Sequence, residues 1–169
     1  MSPSLSHAAF VDLVDRHRGI LFKVAGAYCR NPSDREDLMQ EIVLQLWRAS
    51  GRFDGRSSFA TWMYRVAVNV AMAFSRSDAR RRRGLVPAEE SVLAAVAAPR
   101  EAPPDERLDL LRESIDRLDP LDRALMLLYL DDYPHAEIAG ILGITESNVG
   151  TKIGRIKERF RRSTAQRQF

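Results

Sequence analysis

Apolar residues recur at helical spacing along almost the whole chain, and one stretch, Gly84–Pro104, interrupts them with four of the eight prolines. That interruption limits the fold more than any other feature. Proline lacks the backbone donor and its ring collides with the preceding helical turn, so no single α-helix can run through this stretch. Alternation of period two never persists beyond a few residues, which leaves an all-α fold class. The chain therefore reads as two small helical domains, residues 1–83 and 106–169, joined by a flexible linker over 84–105. A short helix over Ser91–Ala98 fits inside that linker. At roughly 5 to 6 Å times the square root of its length, such a linker has a mean span of about 25 Å, so the two domains can reach sites far apart on one partner.

Composition excludes several classes. With 169 residues, 45% of them apolar, the chain can bury ordinary cores and is not disordered throughout. Cys29 is the only cysteine, and with His7, His17 and His135 scattered it supports neither a disulfide nor a zinc site. At the end of an apolar helix, Cys29 reads as a small core residue. The longest apolar run, Ala124–Leu130, falls far short of the roughly 20 residues that cross a bilayer, and the N-terminus has no secretion pattern, so a cytoplasmic protein without membrane insertion is expected. No GxxxxGK, GxGxxG or HExxH motif and no Cys–His pair of nucleophile spacing occurs. No enzyme, no catalytic residue, no metal and no cofactor is expected.

The formal net charge of +3 conceals a strong division along the chain. Met1–Arg83 holds 14 Lys/Arg against 8 Asp/Glu, Glu106–Thr151 holds 4 against 10, and Lys152–Phe169 holds 7 against 1. Two basic zones, one ending in Arg80–Arg83, thus flank an acidic middle. This suits two separate contacts with a polyanion, or two sets of solvated helix ends complementing the helix dipole.

In the first block, Phe10, Leu13, Val14 and Leu21 mark an apolar stripe, and Asn31–Asp34 breaks the chain before a helix expected from about Arg35 to Ala49. Leu38, Met39, Ile42, Val43 and Leu46 face its core. The opposite stripe carries Asp37, Gln40, Glu41, Leu44 and Arg48, a polar row that is either a solvated face or a docking surface. After the loop Gly51–Ser58, Ser57 or Ser58 can cap a long helix that begins near Phe59 and buries Phe59, Trp62, Met63, Val66, Val70 and Phe74. Thr61, Arg65 and Asn69 would then line a polar side near Tyr64 and the Arg76–Arg83 cluster. Aromatic, Arg and Asn groups beside a basic run can stack on and hydrogen-bond unpaired bases, although such an aromatic stripe also serves as core.

The second block is more specific. Leu108, Leu111, Ile115 and Leu118 repeat helically, Leu121–Leu130 forms a second, very apolar helix, and Pro134–Phe160 has the spacing of a helix-turn-helix. Gly143 can take the left-handed conformation that ends its first helix, and Thr145 can cap its second. With Val149, Ile153, Ile156 and Phe160 inward, Ser147, Asn148, Thr151, Lys152 and Arg155 point outward. Those side chains are of the kind that read base edges and phosphates in a major groove, and the basic run through Lys157, Arg159, Arg161 and Arg162 fits the same partner.

Together DREDLMQEIVLQLWRA, FDGRSSFATWMYRVAVNVA and LDPLDRALMLLYLDDYPHAEIAGILGITESNVGTKIGRIKERFR resemble the extracytoplasmic-function (ECF) group of bacterial RNA polymerase sigma factors, in the order region two, linker, region four. The resemblance implies a subunit that binds core RNA polymerase and directs promoter recognition and transcription initiation. It implies that Asp37, Gln40, Glu41, Leu44 and Arg48 meet the clamp helices of the largest polymerase subunit. It implies that Phe53, Asp54, Arg56 and Ser57 of the loop, with Trp62, Arg65, Asn69, Arg76 and Arg80, melt and hold the promoter −10 element as a single strand. Ser147, Asn148, Thr151, Lys152, Arg155, Lys157 and Arg159 would meet the duplex −35 element. Neighbouring surfaces of that domain would touch the flap of the second-largest subunit. An anti-sigma protein is a further partner that the resemblance allows. Ala73 departs from the family, which often has an acidic residue there; Gly150 stands where a basic or polar residue is usual, and Pro134 where Ser or Thr often caps. The competing reading is a stand-alone helix-turn-helix transcription regulator, which would have no use for the first block.

Overall fold

The computed structural model describes residues 5–84 and 106–166. Among these residues there are eight α-helices, one short 3-10 turn at Ser50–Arg52 and no strand, and the chain divides into two units, Met1–Glu106 and Arg107–Phe169. Residues 85–105, with the helix expected over Ser91–Ala98, lie outside the described residues.

The first unit begins with α1 (His7–Arg16), capped by Ser6, whose Oγ accepts from Ala9 N at 3.2 Å. α2 (Arg18–Tyr28) follows at once after a break at His17, and α3 spans Pro32–Ala49. α3 starts at Pro32, three residues before the expected start near Arg35. Asn31 Oδ1 accepts from Ser33 N at 2.8 Å, and Pro32 occupies the first helical position, where its missing N–H costs nothing, so Asn31–Asp34 is the cap and first turn. Arg35 ties the turn down by donating from Nε to the Cys29 carbonyl at 2.9 Å and from Nη2 to that of Arg30 at 3.2 Å. Cys29 itself is buried.

Leu38, Ile42 and Leu46 of α3 have no exposed surface, and Phe10, Leu21, Val24, Met63 and Val68 of the same unit are also buried, while Met39 and Val43 are only half-buried. The longest helix, α4 (Phe59–Gly84), runs about 39 Å at 1.5 Å per residue and packs on both α2 and α3. Ser58 opens it: its Oγ accepts from Thr61 N at 3.1 Å and lies 3.0 Å from Thr61 Oγ1. Two partners require two adjacent buried stripes, so Tyr64, Ala67, Val68 and Ala71 join Phe59 and Met63 in the core. Trp62, Val66, Val70 and Phe74, expected inside, stay half-exposed at the edge, and Tyr64 and Thr61, expected on the polar side, are buried.

The second unit holds α5 (Glu106–Asp116), α6 (Pro120–Leu130), α7 (His135–Leu142) and α8 (Glu146–Ala165). Asp119 caps α6 by accepting from Asp122 N at 2.9 Å, and Arg123 Nη2 donates to the carbonyls of Asp116 and Leu118 at 2.8 and 3.1 Å, closing the α5–α6 turn. Five consecutive residues, Ala124–Leu128, are buried in α6, which contacts both α7 and α8. Ile115 and Leu118 join this core, whereas Leu108 is exposed. Gly143 takes φ 69° and ψ 33° at the end of α7, a left-handed conformation that costs a residue with a Cβ far more. Thr145 Oγ1 then accepts from Asn148 N at 3.1 Å to start α8, and Val149, Ile153 and Ile156 are buried beneath it. Pro134 precedes α7 without a side-chain cap.

An added Cβ at Gly150, inside α8, would meet the His135 ring at an ordinary 3.8 Å. Gly150→Ala is therefore expected to stabilise the chain by about 1 kcal/mol through helix propensity, measured as a raised midpoint in urea. An unchanged or lowered midpoint would mean that this crossing of α7 and α8 needs the glycine.

Candidate functional site

The polar row expected on α3 divides between two grooves. On the α4 side, Asp37 and Glu41 line a groove of about 780 Å3 together with Asn69, Ser77 and Arg81. Asp37 and Asn69 are exposed, and Glu41 is half-buried, its Oε1 accepting from Gln45 Nε2 at 2.6 Å. Residues assigned from sequence to two different partners thus face one another. On the α1 side, Gln40 and Leu44 border a second groove of about 650 Å3 floored by Phe10, Met39, Val43 and Trp47. His7 and Phe10 meet the Trp47 ring edge-on at 5.2 and 5.1 Å. Trp47, Leu44 and Val11 remain 41%, 41% and 50% exposed, a large apolar surface for a folded domain. Sequence reading misses this groove because Met39 and Val43 look like ordinary core; the signal is Val43, Leu44 and Trp47 falling three and four residues apart beside the buried stripe. Arg48 is exposed and lines neither groove.

At the start of α4 the loop is held by aromatic packing. Phe53 lies 5.1 Å from Trp62 and 5.7 Å from Phe59, Phe59 lies 5.3 Å from Trp62, and His17 approaches Phe59 at 5.8 Å. Phe53 and Trp62 are half-buried, so both pack in this cluster while keeping part of their surface exposed. Asp54 accepts from Arg56 N at 3.1 Å and pairs with its Nε at 3.1 Å across Gly55, whose φ of +72° favours glycine. Asp54 and Arg56 are therefore partnered with each other, while Ser57 is half-buried beside them. Arg65, Asn69, Arg76 and Arg80 are all exposed along α4, and Arg65 has no acidic partner among the described residues.

On α8, Ser147, Asn148, Thr151, Arg155 and Arg159 are exposed. Thr151 is exposed, and its Oγ1 donates back to the Ser147 carbonyl at 3.0 Å. Two expectations need correction. Lys152 does not point outward: its Nζ sits 2.7 Å from Asp122 Oδ1 of α6, with side-chain exposures of 24% and 13%. Lys157 also turns inward, its Nζ donating to Tyr129 Oη and lying 4.5 Å from the centre of that ring. Further along, Arg161 and Arg162 share Glu158 at 3.7 and 3.0 Å. That leaves Arg155 and Arg159 as outward cations on α8 with no acidic partner among the described residues.

Among the described residues no cluster of His, Cys, Asp and Glu could hold a metal ion, and no helix is long and apolar enough to cross a membrane. The first unit matches the family model for sigma-70 region 2 over residues 13–81, and the second matches sigma-70 region 4 over residues 108–160. Two helical modules of the sigma class therefore follow one another in this chain. It is 30% identical to the ECF RNA polymerase sigma-E factor of Haemophilus influenzae, over 89% of this chain and 84% of that protein. It is likewise 30% identical to the RNA polymerase sigma factor CarQ of Myxococcus xanthus, over 90% and 87%. The chain belongs to the ECF family of RNA polymerase sigma factors. The fold is similar to that of the sigma factor RpoE of Bartonella quintana, solved in complex with the anti-sigma factor NepR, with a TM-score of 0.65 at 17% identity over 90% of this chain and 91% of that one.

Because Trp62 is held by two rings yet half-exposed, Trp62→Ala is expected to cost about 2 kcal/mol in chemical unfolding, below the roughly 3 to 5 kcal/mol of a fully buried aromatic. Trp62→Phe should lose less than about 1.5 kcal/mol. Equal, full losses in both would make Trp62 a pure core residue with no face to offer.

Proposed function

We propose that the chain binds core RNA polymerase through its first unit, opens and holds the promoter −10 element there as a single strand, and reads the duplex −35 element with α8. The observation that carries this is the pairing, in one chain, of a carboxylate-lined groove at Asp37 and Glu41 with a helix-turn-helix whose outer face is Ser147, Asn148, Thr151, Arg155 and Arg159. A protein that only binds duplex DNA has no use for the first. In this reading Asp37, Gln40, Glu41, Leu44 and Arg48 meet the clamp helices of the largest polymerase subunit, and the second unit also touches the flap of the second-largest. Phe53, Asp54, Arg56, Ser57, Trp62, Arg65, Asn69, Arg76 and Arg80 form the −10 surface, where the half-exposed rings of Phe53 and Trp62 would stack on unpaired bases. The domains are residues 1–83 and 106–169, with 84–105 between them. The protein performs no chemistry of its own and works in the cytoplasm beside its polymerase. Regulation by an anti-sigma protein that covers the polymerase-binding faces belongs to the same proposal; the structurally similar Bartonella quintana RpoE was solved in complex with the anti-sigma factor NepR.

The deciding experiment is titration of the labelled protein with bacterial core polymerase stripped of sigma, read by fluorescence anisotropy. Saturable binding is expected, and Asp37→Lys or Glu41→Lys should weaken it at least about tenfold, equivalent to about 1.4 kcal/mol, with circular dichroism unchanged. Wild-type affinity in both variants would remove the clamp assignment, and no binding by the unaltered chain would favour a stand-alone regulator. On duplex DNA carrying the −35 element, Arg155→Ala is expected to cost about 1 to 3 kcal/mol and to relax preference at one base pair. An equal loss on every sequence would instead make Arg155 a phosphate contact.

A further inference from the structure

Two lysines of α8 that sequence alone would place on DNA are held inside the second unit. At 3.6 residues per turn, Val149, Ile153 and Ile156 form one buried stripe, and Lys152 and Lys157 leave the helix at opposite edges of it. Both reach α6. Lys152 Nζ pairs with Asp122 Oδ1 at 2.7 Å in the first turn of that helix, and Lys157 Nζ donates to Tyr129 Oη near its end while resting 4.5 Å from the ring centre. Two tethers, one on each side of the buried stripe and near opposite ends of α6, prevent α8 from rolling about its axis. Rolling is the motion that would carry Ser147, Thr151 and Arg155 out of register with base edges.

Neither lysine can serve DNA without releasing its partner. Asp122 is only 13% exposed, so a Lys152 that swung out to a phosphate would leave a mostly buried carboxylate without its charge-assisted bond. A Lys157 that swung out would give up both a hydrogen bond and a cation–π contact.

We propose that Lys152 and Lys157 are positioning residues, which fix the rotation of α8 through Asp122 and Tyr129, and that they neutralise no phosphate. This rests on the reading of α8 as the duplex-binding helix. Duplex contact then falls to Arg155 and Arg159 among the cations of α8 that lack an acidic partner in the described residues.

The test uses the full-length chain and a mixed-sequence duplex of about three helical turns, titrated over a range of NaCl concentrations. Removing one cation that neutralises a phosphate flattens the slope of log K against log salt by about 0.9. Lys152→Met and Lys157→Met are expected to keep the slope of the unaltered chain, whereas Arg159→Ala, which removes an exposed cation, flattens it. Charge exchange supplies the second arm. Lys152→Asp should lower both duplex affinity and the thermal midpoint without DNA. Adding Asp122→Lys, which restores the net charge and the pair, should bring the midpoint back and return affinity to within about twofold of the original.

A slope flattened by about 0.9 in Lys152→Met would overturn the proposal, as would an exchanged pair that binds no better than Lys152→Asp alone, since a lysine serving phosphate cannot be replaced by aspartate at the same position. Thermal midpoints indifferent to both reversals would likewise remove the strut. Absence of duplex binding by the unaltered chain at low salt would defeat the promoter-binding reading and the positioning role with it, while the midpoints would still report whether the ion pair exists.

Discussion

Leu38, Ile42 and Leu46 have no exposed surface, and the outward character of the first unit depends on their burial. Each such side chain contributes roughly 1.5 to 3 kcal/mol when removed from water, and three in one stripe fix which way α3 faces. Once that stripe is set against α2 and α4, Asp37 and Glu41 must fall on the α4 side and Gln40 and Leu44 on the α1 side. The carboxylates come to face Asn69, and the apolar groove ending at Trp47 opens on the other flank. No residue of either groove needs to be specified separately for this to occur.

The second unit solves a different problem. A helix proposed to enter a DNA groove has to stand away from its domain, so it can bury only a narrow stripe, and in α8 that stripe is Val149, Ile153 and Ile156. Narrow burial leaves rotation about the helix axis weakly restrained. The left-handed turn at Gly143 and the Thr145 cap set where α8 begins, and the polar links to Asp122 and Tyr129 restrain its angle. Position comes from local backbone chemistry, and orientation from side chains 30 and 28 residues apart in sequence.

Local chemistry is legible in the residues themselves. The all-α class, the Gly143 turn, the Thr145 cap and the buried Cys29 follow from residue type and near neighbours, while the cap of α4, open between Ser57 and Ser58 in the sequence, is Ser58. The start of α3 is not, because Asn31-Pro32 serves equally as a chain break and as a cap followed by a first-turn proline; only the Ser33 N to Asn31 Oδ1 bond decides between them. The buried face of α4 escapes a reading of spacing for a larger reason. Periodicity reports one apolar stripe, and a helix packed against two neighbours buries two, so small residues such as Ala67 and Ala71 and the tyrosine Tyr64 enter the core while Trp62 and Phe74 move to its edge.

What the sequence determined by itself is the all-helical class, the break between two units and the supply of charge along the chain, because these depend on spacing and on interactions within a few residues. What only the tertiary structure decided is which charges remain available. A lysine in a sequence is an outward cation by default, and Lys152 and Lys157 lose that role because α6 places a carboxylate and a phenol within reach. Pairing energy falls with distance in space, not along the chain, so no reading of spacing within one helix could have found the partners of Lys152 and Lys157.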